Sequence, residues 1–233
     1  MQLRVTQLWL GAVAVLPLVW PPAAVAGGFS IVVGMINQSV VSQTLAEGVP
    51  QTFPGGLLVW SIATGLASWY LYCGLLACAI RVAPAQQTRV ADLFLPLGLG
   101  VRAIVASLLV MIVSMLGLIL FIVPGILLLL IWSMVVPLVL DGRAGVFDAF
   151  TLSATITKGS RGALFLAFLV PSILAMAPAW IAAGQGMQQP DLAVVSMSPG
   201  SALILNVIST AVAVFMTLLL GVAYRELTAH TER

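Results

Sequence analysis

The chain has 233 residues, of which 61% are hydrophobic and only 7% are charged, and its formal net charge is +2. Soluble domains carry about 25% charged residues. A water-soluble fold of this size could not bury so much apolar surface, so the composition predicts an integral membrane protein. The small net charge gives no indication of nucleic-acid binding, and we expect no nucleic-acid partner.

The first apolar segment runs from residue 6 to residue 36 and is interrupted by Pro21 and Pro22. A helix rises about 1.5 Å per residue and the hydrocarbon core is about 30 Å thick, so the segment is too long for one straight crossing and too short for two. Because proline bends helices, we predict one kinked crossing. The alternative is a secretory signal cleaved after Ala26, since a short apolar run behind Arg4 ends in small residues.

The middle of the chain carries no charge between Arg102 and Asp141, which is enough for two crossings. Proline disfavours helix at the residue before it and is favoured in the first turn of the next helix. Pro124 and Gly125 therefore predict the turn of a helical hairpin. Pro137 predicts a kink near the end of the second helix of that hairpin.

These patterns together predict an all-α fold, a polytopic membrane helical bundle forming one transmembrane domain with six transmembrane helices and a short amphipathic cytoplasmic connector helix. Polar residues without a base fill the intervals 37–54 and 185–200, which are predicted loops. The predicted crossings are 6–36, 55–80, 103–122, 124–140, 162–184 and 201–224, and the connector helix is 144–158.

All nine lysines and arginines fall on the side of the N-terminus when these crossings are counted. The two polar loops and the hairpin turn on the other side contain none. Cytoplasmic loops carry the excess of lysine and arginine. Both termini are therefore predicted to be cytoplasmic.

The connector follows the hairpin and carries a short apolar face. Phe147 and Phe150 fall three residues apart on that face, Lys158 lies at the C-terminal end where a cation is favoured, and Gly159 is a helix stop. We interpret the connector as an interfacial helix that braces the fourth and fifth crossings, and a partner-binding or regulatory segment is the alternative. The side chains expected to face away from the bundle are Asp148, Ser153 and Thr155.

Several short motifs are distributed along the last two thirds of the chain. They are Gln87-Thr-Arg-Val-Ala-Asp-Leu93, Ile122-Val-Pro-Gly-Ile126, Val136-Pro-Leu-Val-Leu140-Asp-Gly, Gly145-Val-Phe-Asp-Ala149 with Ser153, Lys158-Gly159, and Tyr224-Arg-Glu-Leu227. Over residues 85–230 this pattern resembles the YciC-type bacterial inner-membrane proteins, and it is similar to the membrane domain fused to some glycerophosphodiester phosphodiesterases. The resemblance implies six helices in the bacterial inner membrane and no assigned reaction.

The sequence offers little for catalysis or ion coupling. The only histidine, His230, lies in the tail, the seven acids are scattered, and no nucleophile triad, phosphate loop or dinucleotide motif is present. We predict no enzyme activity and no catalytic, cofactor-binding or metal site. The crossings lack charged residues, which argues against an ion-driven carrier. Hydroxyl side chains within them are expected to bond back to their own helices: Thr64, Ser68, Ser107, Ser114, Ser133 and Ser172.

Three function hypotheses remain from the sequence. The first is an accessory factor in envelope or membrane-lipid homeostasis, with membrane lipids as partners. The others are a facilitative channel or exporter of an apolar solute, and a structural subunit of a membrane complex. Small residues four apart predict close helix packing within the bundle, with a homo-oligomer as the alternative: Ser61 with Gly65, Ala163 with Ala167, and Ala175 with Ala179.

Overall fold

Helices account for almost all of the described structure, a computed structural model that covers residues 4–46, 55–82, 87–188 and 199–231. These ranges contain no strand, and the all-α bundle predicted from the sequence is confirmed. The helices are α1 (Val5–Val15), α2 (Trp20–Ala46), α3 (Gly55–Arg81), α4 (Leu97–Leu120), α5 (Ile122–Ile131), α6 (Val135–Leu140), α7 (Asp148–Ile156), α8 (Arg161–Gln188) and α9 (Pro199–Thr231), with a 3-10 turn at Val90–Leu93 between α3 and α4.

Five apolar spans in these ranges are long enough to cross a membrane. Four lie in α2, α3, α4 and α9, and the fifth combines α5 with α6. A sixth is present if α7 and α8, which meet at a bend of 98°, are counted as one broken span. The chain is therefore a multi-pass membrane protein.

The first segment differs from the predicted kinked crossing. The helix breaks around Pro17, which has no N–H to continue α1, whereas Pro21 and Pro22 lie in the first turn of α2, where a missing N–H costs little. α2 then continues to Ala46, into the interval predicted to be a loop. α1 has only 11 residues, about 16 Å, and cannot cross.

α1 packs along the bundle instead of spanning it. Leu8 and Ala12 are fully buried. The indole N–H of Trp9 donates a hydrogen bond to the carbonyl of Ala167 in α8 at 3.2 Å, and its ring meets Phe215 of α9 edge-on at 6.1 Å. α1 therefore fills the space beside α8 and α9. Ala167 is one of the small residues expected in close packing, whereas Ser61 and Gly65 are exposed.

The predicted hairpin is present, but its turn lies at Phe121. This residue alone is extended between α4 and α5, with φ −157° and ψ 134°, and Pro124 and Gly125 follow it inside the first turns of α5. A Cβ atom on Gly125 would lie 2.5 Å from the backbone nitrogen of Leu118. Gly125 therefore permits the close approach of α5 to α4 rather than making the turn.

Pro137 breaks the fourth crossing one turn before its own position. Residues 132–134 form a turn that separates α5 from α6. Proline provides no N–H for the carbonyl four residues earlier, here that of Ser133, and its ring crowds that carbonyl. The kink predicted near the end of this crossing is confirmed.

The bundle is packed most tightly at one end, which we call the basic end because Arg81, Arg143 and Arg161 lie there. The largest fully buried side chains gather near this end: Leu8, Leu75, Leu93, Met134, Leu138, Leu140, Leu164, Leu218, Leu219 and Tyr224. At the opposite end, large apolar side chains are more than half exposed: Leu58, Ile119, Phe121, Val123, Trp180 and Ile204.

Candidate binding site between the helices

A cavity of about 750 Å³ lies between α3, α4, α5, α8 and α9, with a contribution from α6. One face of α4 forms a wall of it, with side chains spaced three and four residues apart, as expected for one side of a helix: Ser107, Val110, Met111, Ser114, Met115 and Leu118. Ligand sites typically have volumes of about 300–1,000 Å³ and mostly apolar walls. The cavity has the size and the composition of such a site.

The cavity is open toward the side of the bundle. Met111, Met115, Leu118, Leu129 and Leu169 line it and are also 37–57% exposed. The first four of these residues belong to spans that are apolar enough to lie in the hydrocarbon core. A ligand dissolved in the membrane could therefore enter sideways between the helices.

Hydroxyl groups interrupt the apolar wall. Ser107, Ser133 and Thr217 donate hydrogen bonds to carbonyls of their own helices at 2.7–2.9 Å, as predicted for Ser107 and Ser133. Ser114 differs, because its side chain is 2% exposed and its Oγ has no hydrogen-bond partner among the described residues. A buried polar group without a partner costs about 1–3 kcal/mol. The prediction that Ser114 bonds back to its helix is wrong.

Trp132 connects the cavity to α7. Its side chain lines the cavity at the break between α5 and α6, and its ring meets Phe150 edge-on, with centroids 5.3 Å apart and planes at 76°. Edge-to-face aromatic pairs stabilise by about 0.5–1.5 kcal/mol beyond the area they bury. A displacement of α7 would therefore disturb the cavity wall.

The break also provides the carbonyl to which α7 binds. The N–H of Val135 donates to the carbonyl of Trp132 rather than to the carbonyl of Ile131, which would be its acceptor in a regular helix. The Ser153 hydroxyl donates to the freed Ile131 carbonyl at 2.6 Å, and Thr157 approaches it at 3.4 Å. Ser153 and Thr157 are fully buried. The prediction that Ser153 faces away from the bundle is therefore wrong.

The other connector residues agree only in part with the predicted face. α7 begins at Asp148, so Phe147 precedes the helix and is 79% exposed, which contradicts its predicted packing beside Phe150. Phe150 packs against the core. Gly159 has φ +90° in the turn before α8, as expected for a residue that stops a helix. The exposed connector side chains include Asp148, Thr155 and Lys158.

A polar contact at the basic end joins two distant motifs. The Tyr224 hydroxyl donates to Oδ2 of Asp141 at 2.7 Å, and Arg143 Nε approaches the same oxygen at 2.7 Å. Arg81 donates to the carbonyl of Leu140 at 3.2 Å. These interactions tie α9 and α3 to the end of α6 and hold the connector's starting point in place.

The described residues contain no group of three or more histidine, cysteine, aspartate or glutamate side chains that could hold a metal ion. Both cysteines, Cys73 and Cys78, are free and buried in α3. No family model, curated protein or solved structure matches the chain. The candidate site of the described structure is the cavity between the helices.

Proposed function

We propose that this protein is a non-catalytic accessory factor of a bacterial inner membrane that binds a lipid between its helices and acts in envelope or membrane-lipid homeostasis. The observation that carries the proposal is the laterally open cavity of about 750 Å³. Its entrance lies among lipid-facing side chains, and its walls are apolar with a few hydroxyl groups. A membrane lipid reaches such a site without crossing water.

We also propose that the chain is a relative of the YciC-type proteins. The contact between Asp141 and Tyr224 supports this relationship, since it joins two of the motifs that carry the resemblance, 83 residues apart. A third motif includes the fully buried Leu93, whose backbone packs against Gly74 of α3. The residues that carry the resemblance thus have structural roles at the basic end.

We propose that the basic end faces the cytoplasm, because cytoplasmic loops carry the excess of lysine and arginine. Since α1 does not cross, α2 is the first crossing. α1 contacts α8 at Ala167, six residues from Arg161, so the N-terminus belongs to the same side as the connector. Both termini are then cytoplasmic.

Reporter fusions test this orientation. Because α2 continues to Ala46, the first periplasmic reporter is fused after Gly48. Fusions after Gly48 and Gln188 should report a periplasmic location. Fusions after Gly142 and Arg233 should report a cytoplasmic location. A cytoplasmic signal after Gly48 would contradict the arrangement. N-terminal sequencing of the purified protein should start at residue 1 or 2, and a start at Gly27 would establish the cleaved-signal alternative.

Lipid binding is tested by native mass spectrometry of the detergent-purified protein. The wild type should retain about one lipid per chain. Ser172→Phe places a ring inside the cavity and should reduce retention at least tenfold, whereas Ile173→Phe, at the next position of α8 but on its exposed side, should retain lipid like the wild type.

Two results would contradict the proposal. One is a wild-type protein without bound lipid, and the other is equal retention by Ser172→Phe and the wild type. A protein subunit that co-purifies in place of a lipid would support the structural-subunit alternative instead.

A further inference from the structure

The selectivity of the cavity must come from its polar and aromatic groups. Lipid tails are as apolar as leucine side chains, so an apolar wall offers a hydrocarbon chain no net gain over the surrounding membrane. Hydrogen bonds and ring contacts are the interactions that a lipid tail cannot provide. The groups that matter are therefore the hydroxyls and the aromatic rings of the lining.

Ser114 is the buried hydroxyl of the cavity lining that has no partner among the described residues. It is buried, its Oγ has no partner among the described residues, and it lies on the α4 face that lines the cavity. The remaining lining hydroxyls of α4, α5 and α9 already donate to their own helices. A ligand oxygen placed beside Ser114 would accept a hydrogen bond that the described residues leave unmade.

The depth of Ser114 restricts the ligand. Along α4 it lies about 18 Å from Arg102 and about 10 Å from Phe121, at 1.5 Å per residue. Both distances place it inside a hydrocarbon core about 30 Å thick. Ester and headgroup oxygens of a phospholipid lie at the interface and do not reach this depth. The ligand must carry a hydrogen-bond acceptor within the hydrocarbon region.

The remaining lining excludes a charged ligand and favours a ring. None of the described residues that line the cavity is charged, and an unpaired charge at this depth is unfavourable. Five aromatic side chains and two methionines contribute to the walls: Trp69, Tyr72, Trp132, Phe165, Phe168, Met111 and Met115. Aromatic rings and thioethers both pack well against a planar ring.

We propose that the cavity binds the head ring of a quinone-type lipid, with a ring carbonyl accepting a hydrogen bond from Ser114 and the hydrocarbon tail leaving through the lateral opening. This inference rests on the proposed lipid-binding function and specifies the class of ligand. A quinone combines the three required properties: an uncharged planar ring, carbonyl acceptors and an apolar tail that keeps it inside the membrane. The role is binding, and no electron transfer is implied.

The test is a titration of the purified protein in detergent with a short-tailed ubiquinone. Binding is measured by the quenching of tryptophan fluorescence. Trp69 and Trp132 line the cavity and should be quenched in the wild type. Ser114→Ala should raise the Kd about 2- to 10-fold, the range for one hydrogen bond. Thr64→Val, which removes a buried hydroxyl that is bonded to the Trp60 carbonyl and lies outside the cavity lining, is the control and should leave the Kd within twofold of the wild type.

Thermal stability separates a lost ligand contact from damaged packing. Ser114→Ala removes an unpaired buried hydroxyl, so the ligand-free variant should melt at the same temperature as the wild type or higher. Weaker quinone binding together with an unchanged or higher melting temperature supports the proposal. Equal quinone affinity of Ser114→Ala and the wild type overturns it.

Parallel titrations with diacylglycerol and with phosphatidylglycerol vesicles distinguish the lipid classes. Retention of either lipid without quinone binding overturns the quinone assignment but leaves the proposed lipid-binding function in place. Failure of all three lipids, together with a wild-type protein that carries no lipid in native mass spectrometry, overturns both.

Discussion

Replacing Phe150 with aspartate is expected to lower the thermal stability and the folded yield of the purified protein. The Phe150 ring packs against the core and meets Trp132 edge-on at 5.3 Å. Burying an aromatic side chain stabilises by about 1.5–3 kcal/mol, and an aspartate in its place would lose hydration without gaining a partner. A loss of about 2 kcal/mol or more should be measurable as a lower melting temperature in detergent.

The neighbouring phenylalanine provides a matched control. Phe147→Asp introduces the same charge three residues earlier, at a side chain that is 79% exposed, and should leave the melting temperature nearly unchanged. Thr155→Asp on the exposed side of α7 should also be nearly silent. If Phe150→Asp kept its stability but abolished a cellular phenotype, α7 would instead be a docking surface for a cytoplasmic partner.

Phe150 also connects stability to the cavity through Trp132. Since Trp132 lines the cavity and contacts Phe150, an undocked α7 should shift the ligand affinity as well as the melting temperature. The hydroxyl contact from Ser153 to Ile131 holds the same helix at the same break. Residues in one contact network couple energetically, so the effects of Phe150 and Ser153 substitutions should not be additive.

The approximate positions of most long apolar helices were predictable from the sequence because a crossing requires about 20 consecutive apolar residues. α3 agrees with its prediction nearly to the residue. The helix breaks were less predictable, since the effect of a proline depends on its position within a helix. Pro21 and Pro22 are harmless in the first turn of α2, whereas Pro17 follows the end of α1 and Pro137 opens the helix one turn before itself.

The contacts of α7 could not be predicted from its own sequence pattern, because they are made with residues that are distant in sequence. Helical spacing predicts Ser153 on the side of α7 away from Phe150, but the break between α5 and α6 frees the Ile131 carbonyl, which the Ser153 hydroxyl binds. The cavity was not predicted, although Ser107 and Ser114 lie seven residues apart on the helical face that lines it. The empty volume opposite that face depends on how α3 and α8 are placed, which α4 alone does not determine.

Gly74→Ala is expected to destabilise the protein, against the general preference of helices for alanine over glycine. Gly74 lies in α3 where the backbone of Leu93 crosses it. A Cβ atom there would overlap the Leu93 carbonyl oxygen and lie 2.9 Å from the carbonyl carbon. Because the obstacle is backbone, it cannot rotate away as a side chain would. Overpacking of this kind costs about 1–3 kcal/mol.

The segment around Leu93 is held by contacts on several sides, so it cannot easily move away from α3. Leu93 is fully buried, and the Tyr70 hydroxyl donates to the Leu95 carbonyl at 2.6 Å. On the other side, Thr88 donates to the Leu18 carbonyl at 3.1 Å. Movement of Leu93 away from α3 would therefore strain the connection between α3 and α4 and its contact with the start of α2.

Gly65→Ala is the matched control, since it makes the same chemical change in the same helix at a position with nothing within 4 Å of the added Cβ. It should raise the melting temperature slightly through the helix preference alone, which is worth up to about 1 kcal/mol, whereas Gly74→Ala should lower it. Gly74→Ala should also speed proteolysis of the α3–α4 connection. Equal shifts for the two variants would mean that Leu93 does not pack on α3, and the 3-10 turn would then be free to leave the basic end.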